Sequence, residues 1–249
     1  TDAPTAVSMI LAGVLLKMGG YGIIRLAVGF FPSTAAEFAW VLAIFATISV
    51  LYGAMVTLRQ TDLKRLIAYS SISHMGYVLL GVSSVVGVGG AVSPVGLTGA
   101  SLQMFSHGII TGLLFFLVGL VYDKAHTRYI PDLGGLASRM PLIAVAFMVA
   151  GLAALGLPGL SGFPAEVTVF LGTFPVWGWA TALAAFGIVI TAGYILWMLQ
   201  RSFFGPELKR FDKIGDASRV DMIPMAALII AILVVGIYPA VLTDAFQSV

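Results

Sequence analysis

Seven apolar stretches divide this chain, each near or above the roughly 20 residues that a membrane-crossing helix needs. They run over residues 5–30, 37–58, 63–86, 97–122, 140–174, 177–203 and 221–245. Inside a bilayer every backbone polar group must be satisfied by the protein itself, which leaves helices or a closed barrel. The stretches are continuous and do not alternate polar with apolar residues, so they read as helices. Only 10% of the residues are charged, against about 25% in soluble domains. The expected fold is an all-α polytopic membrane protein, one membrane domain over residues 1–249. The chain starts at Thr1 with no basic stretch before the first apolar run, which reads as a fragment or a processed product.

The charges give the topology. Arg59, Lys64 and Arg65 lie between the second and third spans, and Lys124, Arg128 and Arg139 between the fourth and fifth. Arg201, Lys209, Arg210, Lys213 and Arg219 lie between the sixth and seventh. Eleven of the 13 basic residues thus fall on one side of a seven-span arrangement, and the alternate linkers carry none. The positive-inside bias puts that side in the cytoplasm or its equivalent, with the first span entering from inside and the last ending outside. Arg25, near the outer end of the first span, reads as a snorkelling or locally paired side chain.

The fifth span is too long for one straight crossing, because 35 helical residues would reach about 50 Å against a core of about 30 Å. Its middle reads LGLPGLSGFPAE, Leu155 to Glu166, where Pro158, Gly159, Gly162 and Pro164 are expected to break the helix. Irregular backbone at membrane depth is tolerated only where protein buries it or where it lines a wet cavity, and broken helices often hold ion sites.

Four ionisable residues fall near mid-depth: Lys17, His74, His107 and Glu166. A lysine at the bilayer centre costs roughly 2.5–3.5 kcal/mol on insertion scales, so its default reading is functional. Histidine exchanges protons near neutral pH, whereas arginine in the place of Lys17 would not release its proton. Glu166 begins the second half of the broken span, where a helix amino end favours an anion. Each residue has a plainer reading. Lys17 pairs with an acid on a neighbouring subunit, His107 packs with Ser106 and Thr111, and His74 hydrogen-bonds across helices near Ser70, Ser71 and Ser73. His126 reads as solvated in a basic loop, and Asp123 and Lys124 as interfacial anchors.

The chain has no cysteine, so Cys-ligated clusters and thiol chemistry are excluded from it. A haem held by His74 and His107, with room left by Gly76 and Gly108, leaves Lys17 and Glu166 unexplained. A seven-helix receptor would have the opposite orientation, and the last span lacks a lysine for a retinal Schiff base.

The segments APTAVSMILAGVLLKMGGYGIIRL (Ala3–Leu26), TDLKRLIAYSSISHMGYVLLG (Thr61–Gly81), LQMFSHGIITGLLFFLVGLVYD (Leu102–Asp123), the HTR…LGGL loop (His126–Leu136) and LPGLSGFPAE (Leu157–Glu166) resemble the antiporter-like, proton-pumping M-type subunits of respiratory complex I, relatives of the mitochondrial chain called subunit four. That resemblance implies fourteen helices in two inverted repeats plus flanking helices, this chain matching the last seven. Lys17 then matches the lysine that bridges two half-channels, and Glu166 the carboxylate of the broken helix from which protons leave. His74 and His107 match the histidines between them. A carboxylate at Glu166 favours the M-type over the sister L-type, which has lysine there. The first-repeat glutamate and the lysine of the family's other broken helix have no counterpart here, and the Gly-rich linker from Val85 to Gly99 is longer than is usual.

The implied function is proton translocation driven by quinone reduction elsewhere in an NADH:quinone oxidoreductase. No cofactor or metal is expected in this chain, with quinone, flavin and iron–sulfur clusters held by partner subunits. The implied partners are L- and N-type membrane subunits and lipid, not nucleic acid, in a bacterial inner membrane or, alternatively, a thylakoid or mitochondrial one. Subunits of multisubunit sodium/proton antiporters and of ferredoxin- or hydrogenase-linked relatives share this membrane half and remain the alternative.

Overall fold

A computed structural model of the protein describes residues 3–87 and 94–247. Ten helices of six or more residues organise them: α1 (Thr5–Val28), α2 (Pro32–Glu37), α3 (Ala39–Leu58), α4 (Leu63–Ser83), α5 (Pro94–Ala125), α6 (Pro141–Ala154), α7 (Gly162–Thr173), α8 (Gly178–Phe203), α9 (Arg219–Ile237) and α10 (Ala240–Gln247). Six of them, α1, α3, α4, α5, α8 and α9, are each long and apolar enough to cross a membrane. A seventh crossing is made jointly by α6 and α7. Among the described residues the only β pairing is one isolated bridge, Asp62 to Tyr129.

The basic linkers meet on one face. Asp62 caps α4, its Oδ1 accepting from the backbone N–H of Lys64 at 2.8 Å and of Arg65 at 3.0 Å. Its Oδ2 accepts from Arg128 Nε at 2.7 Å, which ties the linker after α3 to the linker after α5. Arg139 pairs with Asp212 at 2.8 Å, and Asp216 accepts from the N–H groups of Leu142 and Ile143 at the start of α6. A carboxylate from the α8–α9 linker therefore caps the broken span, meeting the helix donors that have no intrahelical partner. On the opposite face α2 packs against the turn at Ser84–Val86. There the Trp177 indole donates to the Ser83 carbonyl at 2.9 Å. The alternation of sides expected from the charges is thus the arrangement of the chain.

The core lies around α4 and α5, each 72% buried over its apolar window, against 39% for α3 and α8 and 17% for α1 and α9. Glycines set the closest crossings, as in membrane bundles where small residues let backbones approach. Gly53 of α3 lies on the Ser73 backbone, Gly99 of α5 on the Thr168–Val169 backbone, and Gly236 of α9 on Gly159 and Leu160. The outward faces carry large apolar side chains such as Phe30, Trp40, Phe45, Val189 and Ile223, suited to lipid.

The broken span departs from expectation in detail. The interruption covers Leu155–Ser161, where Gly156 and Gly159 adopt φ of +77° and +89°. Gly162 and Pro164 do not break the helix. They form the first turn of α7, where the N–H that proline lacks would have no intrahelical partner in any case. The buried Ser161 carbonyl is satisfied from outside by the Ser106 hydroxyl at 2.9 Å. The fourth span starts at Pro94 and runs to Ala125. The last ends at Ile237, where Tyr238 and Pro239 turn the chain into α10. The Gly-rich linker falls partly outside the described residues.

Candidate functional site

Lys17 owes its position to the winding of α1. Only three of the helix's described side chains are buried, Ser8, Ala12 and Lys17. The step from 12 to 17 is five residues, which in an α-helix turns a side chain by about 140°, away from its predecessor. Leu11–Leu15 is π-helical, and its i→i+5 bonding brings Lys17 back towards the face of Ser8 and Ala12. The ammonium donates to the Ala12 carbonyl, and its methylene stem passes Gly108 of α5. Gly108 also receives the Gly13 carbonyl, so α1 and α5 cross at the residue next to His107.

His107 on α5 and His74 on α4 face each other with ring centroids 5.2 Å apart and planes tilted by 37°. His74 Nδ1 lies 3.7 Å from Glu166 Oε1 on α7. That is too long for a direct hydrogen bond and within the distance at which the two groups interact as an ion pair when the histidine is protonated. His74, His107 and Glu166 are buried almost completely. Neither nitrogen of His107 nor Nε2 of His74 has a hydrogen-bond partner among the described residues. Buried polar groups are nearly always paired, so such orphans in one place call for a physical reason. Lys17 is close enough to act electrostatically on both histidines. Four groups from four elements thus form one mid-membrane series, with Lys17 and Glu166 at its ends and the histidine pair between.

The amino-end argument for Glu166 needs correction. Glu166 is the fifth residue of α7, whose first turn holds no acid, and helix-end stabilisation fades beyond that turn. What adjoins its carboxylate is the backbone of the break. A methyl group on Gly156 would stand 2.6 Å from Oε2. The space beside Gly76 and Gly108 is likewise taken, by Val50 and by the Gly13 carbonyl, which leaves no slot for a macrocycle.

Several neighbours were not legible in sequence. Tyr77 and Tyr194 are fully buried and lie within electrostatic reach of Glu166. The Tyr77 hydroxyl donates to the Ala184 carbonyl at 3.2 Å. Gln103 Oε1 and the Ser161 hydroxyl are further buried atoms without a partner among the described residues. A tyrosine or glutamine within an apolar run carries no motif, so only packing reveals it. His126 is exposed on the basic face, and Arg25 is exposed with no ion pair among the described residues. No group of three or more His, Asp or Glu side chains gathers at metal-binding spacing among those residues.

A family model described as "NADH:quinone oxidoreductase/Mrp antiporter, TM" matches residues 1–191. A cyanobacterial protein named NAD(P)H-quinone oxidoreductase chain 4 1, from Synechococcus sp. (strain JA-3-3Ab), is 44% identical over 99% of this chain and 48% of its own length. NADH-quinone oxidoreductase subunit M of Rhodobacter capsulatus is 43% identical over 98% of this chain and 46% of its own. The chain therefore spans about half the length of the curated relatives it matches. A chain in the structure of respiratory complex I from Thermus thermophilus with bound NADH superposes with a TM-score of 0.88 at 31% identity, over 98% of this chain and 52% of that one. A chain of the Mrp complex from Dietzia sp. DQ12-45-1b shares the fold, with a TM-score of 0.86 at 22% identity over 98% and 52%.

Proposed function

This chain belongs to the NADH:quinone oxidoreductase/Mrp antiporter membrane family, and on that premise we propose that it relays protons along Lys17, His107, His74 and Glu166. It is an integral membrane protein. The observation that carries the proposal is the meeting of these side chains at mid-depth, with histidine nitrogens that have no partner among the described residues between a lysine and a carboxylate. Packing alone gives no reason to keep four such groups in the membrane.

In this reading the chain serves in the membrane arm of a complex that reduces quinone, whose flavin, iron–sulfur and quinone sites lie in other subunits. Its L- and N-type neighbours flank it in the bilayer. The names of the relatives at 43–44% identity support this setting over a sodium/proton antiporter assembly. Co-purification with iron–sulfur subunits separates the two, since sodium-dependent transport without such subunits would favour the antiporter.

The energetic cycle turns on Lys17 changing between charged and neutral forms as a nearby acid approaches or withdraws. Lys17→Arg keeps the positive charge and removes the capacity to release a proton. In the assembled complex the variant is expected to suppress proton pumping at least tenfold. An unaltered ratio of protons to electrons would refute the relay.

A further inference from the structure

Two arginines end neighbouring helices on the basic face, and neither has an ion pair among the described residues. α3 and α8 run in parallel towards that face, with Arg59 at the end of the first and Arg201 in the last turn of the second. Close contacts fix their register: a methyl on Gly187 would stand 2.4 Å from Val50, and one on Gly193 would stand 3.8 Å from Leu58. Arg59 follows Leu58 directly, so its backbone lies near the level of Gly193. Arg201 is eight residues beyond Gly193, about 12 Å further along the axis. Its side chain turns back, as helical side chains do, and its guanidinium carbon lies 5.8 Å from the centre of the Trp197 ring. Trp197 is one turn beyond Gly193 on the same side of α8, so the Arg201 guanidinium returns to within about one turn of the level of Arg59.

The two cations differ from others on this face. Arg128 and Arg139 are answered by Asp62 and by Asp212. Arg59 and Arg201 are exposed and bring two like charges to one seam, which repel until an anion joins them. The Trp197 indole N–H likewise has no acceptor among the described residues. Deeper in the bilayer the seam is apolar and open. Leu58 and Val189 are exposed, and at Gly193 an added methyl would meet Leu58 alone. The chemistry that fits is a phosphate carried on an acyl chain. Guanidinium forks bind phosphate oxygens bidentately, and basic sites between membrane helices on the cytoplasmic side suit anionic headgroups. A phosphatidylcholine would bring a further cation with its phosphate, whereas a phosphatidylglycerol brings net negative charge.

We propose that the basic-face end of the α3–α8 seam binds one anionic glycerophospholipid. Its phosphate lies between Arg59 and Arg201 and accepts from the Trp197 indole, and one acyl chain follows Leu58, Gly193 and Val189. None of these residues belongs to the series from Lys17 to Glu166, so the site stands apart from the relay. The assembled complex would be reconstituted in phosphatidylcholine vesicles with a trace of a diazirine-bearing phosphatidylglycerol. A parallel sample would carry the phosphatidylcholine with the same diazirine chain. After illumination, labelled peptides are located by mass spectrometry.

The phosphatidylglycerol is expected to label residues 55–59 and 189–197 at least fivefold more than the phosphatidylcholine. Peptides around Phe45 and Phe186, on the outward faces of the same helices, should show no preference. Arg59→Gln and Arg201→Gln are each expected to lower the preference at least twofold, and the two together to abolish it. Equal labelling by both lipids in the unsubstituted complex would overturn the proposal, since the seam would then hold only bulk lipid. Labelling by neither would overturn it as well, because a neighbouring subunit would cover the seam. A preference undiminished in both single variants would move the headgroup away from the two arginines and overturn the site as drawn.

Discussion

Helices α1 and α5 both cross the membrane and both carry an ionisable side chain near mid-depth, yet their surroundings are opposite. α5 is 72% buried over its apolar window and α1 only 17%. His107 is enclosed by neighbouring helices, whereas Lys17 sits on a narrow buried strip of an otherwise exposed helix. The contrast places the lysine end of the series at the margin of the bundle and the carboxylate end at its centre. A charge at the margin can be influenced by whatever adjoins α1. One at the centre answers to enclosed neighbours, here His74, the Gly156 backbone and the buried Tyr77 and Tyr194.

The largest effect is expected where the two ends are joined. Glu166→Gln keeps the shape beside Gly156 and removes the exchangeable proton, so pumping should fall at least tenfold in vesicles with assembly intact. If Lys17 and Glu166 act in one relay, Lys17→Arg combined with Glu166→Gln should be no worse than either alone, since residues that act as a unit are strongly non-additive. Additive losses would split margin from centre into two independent sites.

The ends of that series were legible because ionisable residues in apolar runs announce themselves by their cost. The LGLPGLSGFP string announced the break in the same way. Other features had no such signal. The π-helical winding of Leu11–Leu15 is not written in any breaker residue, yet it decides where Lys17 points. Pro164 looked like a breaker and proved to be a first-turn residue of α7. Composition cannot separate these cases, because the same proline is disruptive or harmless according to whether the N–H it removes had a partner. Tyr194 and Gln103 were silent because their polarity matters only once burial has stripped them of water.

The next effect concerns packing at the centre. On Gly99 of α5 an added methyl would lie 2.5 Å from the Val169 nitrogen and 2.8 Å from the Thr168 carbonyl carbon. These are backbone atoms and cannot rotate aside, so Gly99→Ala must push α5 from α7. Overpacking of this kind costs about 1–3 kcal/mol. The solubilised complex should melt earlier, and because α7 carries Glu166, pumping should fall as well. An unchanged melting midpoint would show that the centre is looser than its glycine contacts imply.

At the basic face the expected loss is smaller. Asp62→Ala removes the cap of α4, worth about 1 kcal/mol, and a partly exposed pair with Arg128 worth at most about 1 kcal/mol. Asp62→Asn keeps a capping oxygen and loses the charge, so it should recover most of the melting midpoint. If it recovers none, the linkers are held by the ion pair rather than by the cap.

The smallest effect probes the margin directly. An added methyl on Gly19 of α1 meets nothing within 4 Å, in contrast to the crowded Gly99. Glycine inside a helix is less favourable than alanine by roughly 0.5–1 kcal/mol, because it has more freedom to lose. Gly19→Ala should therefore leave the midpoint unchanged or raise it slightly in a protein consisting of this segment. The same substitution in a full-length relative sharpens the comparison. A clear loss there would mean that another helix approaches α1 closely at Gly19, and that Lys17 lies at an internal seam. Neutrality in both would mean that this side of α1 faces lipid, and that Lys17 is influenced only through the face it shares with α4 and α5.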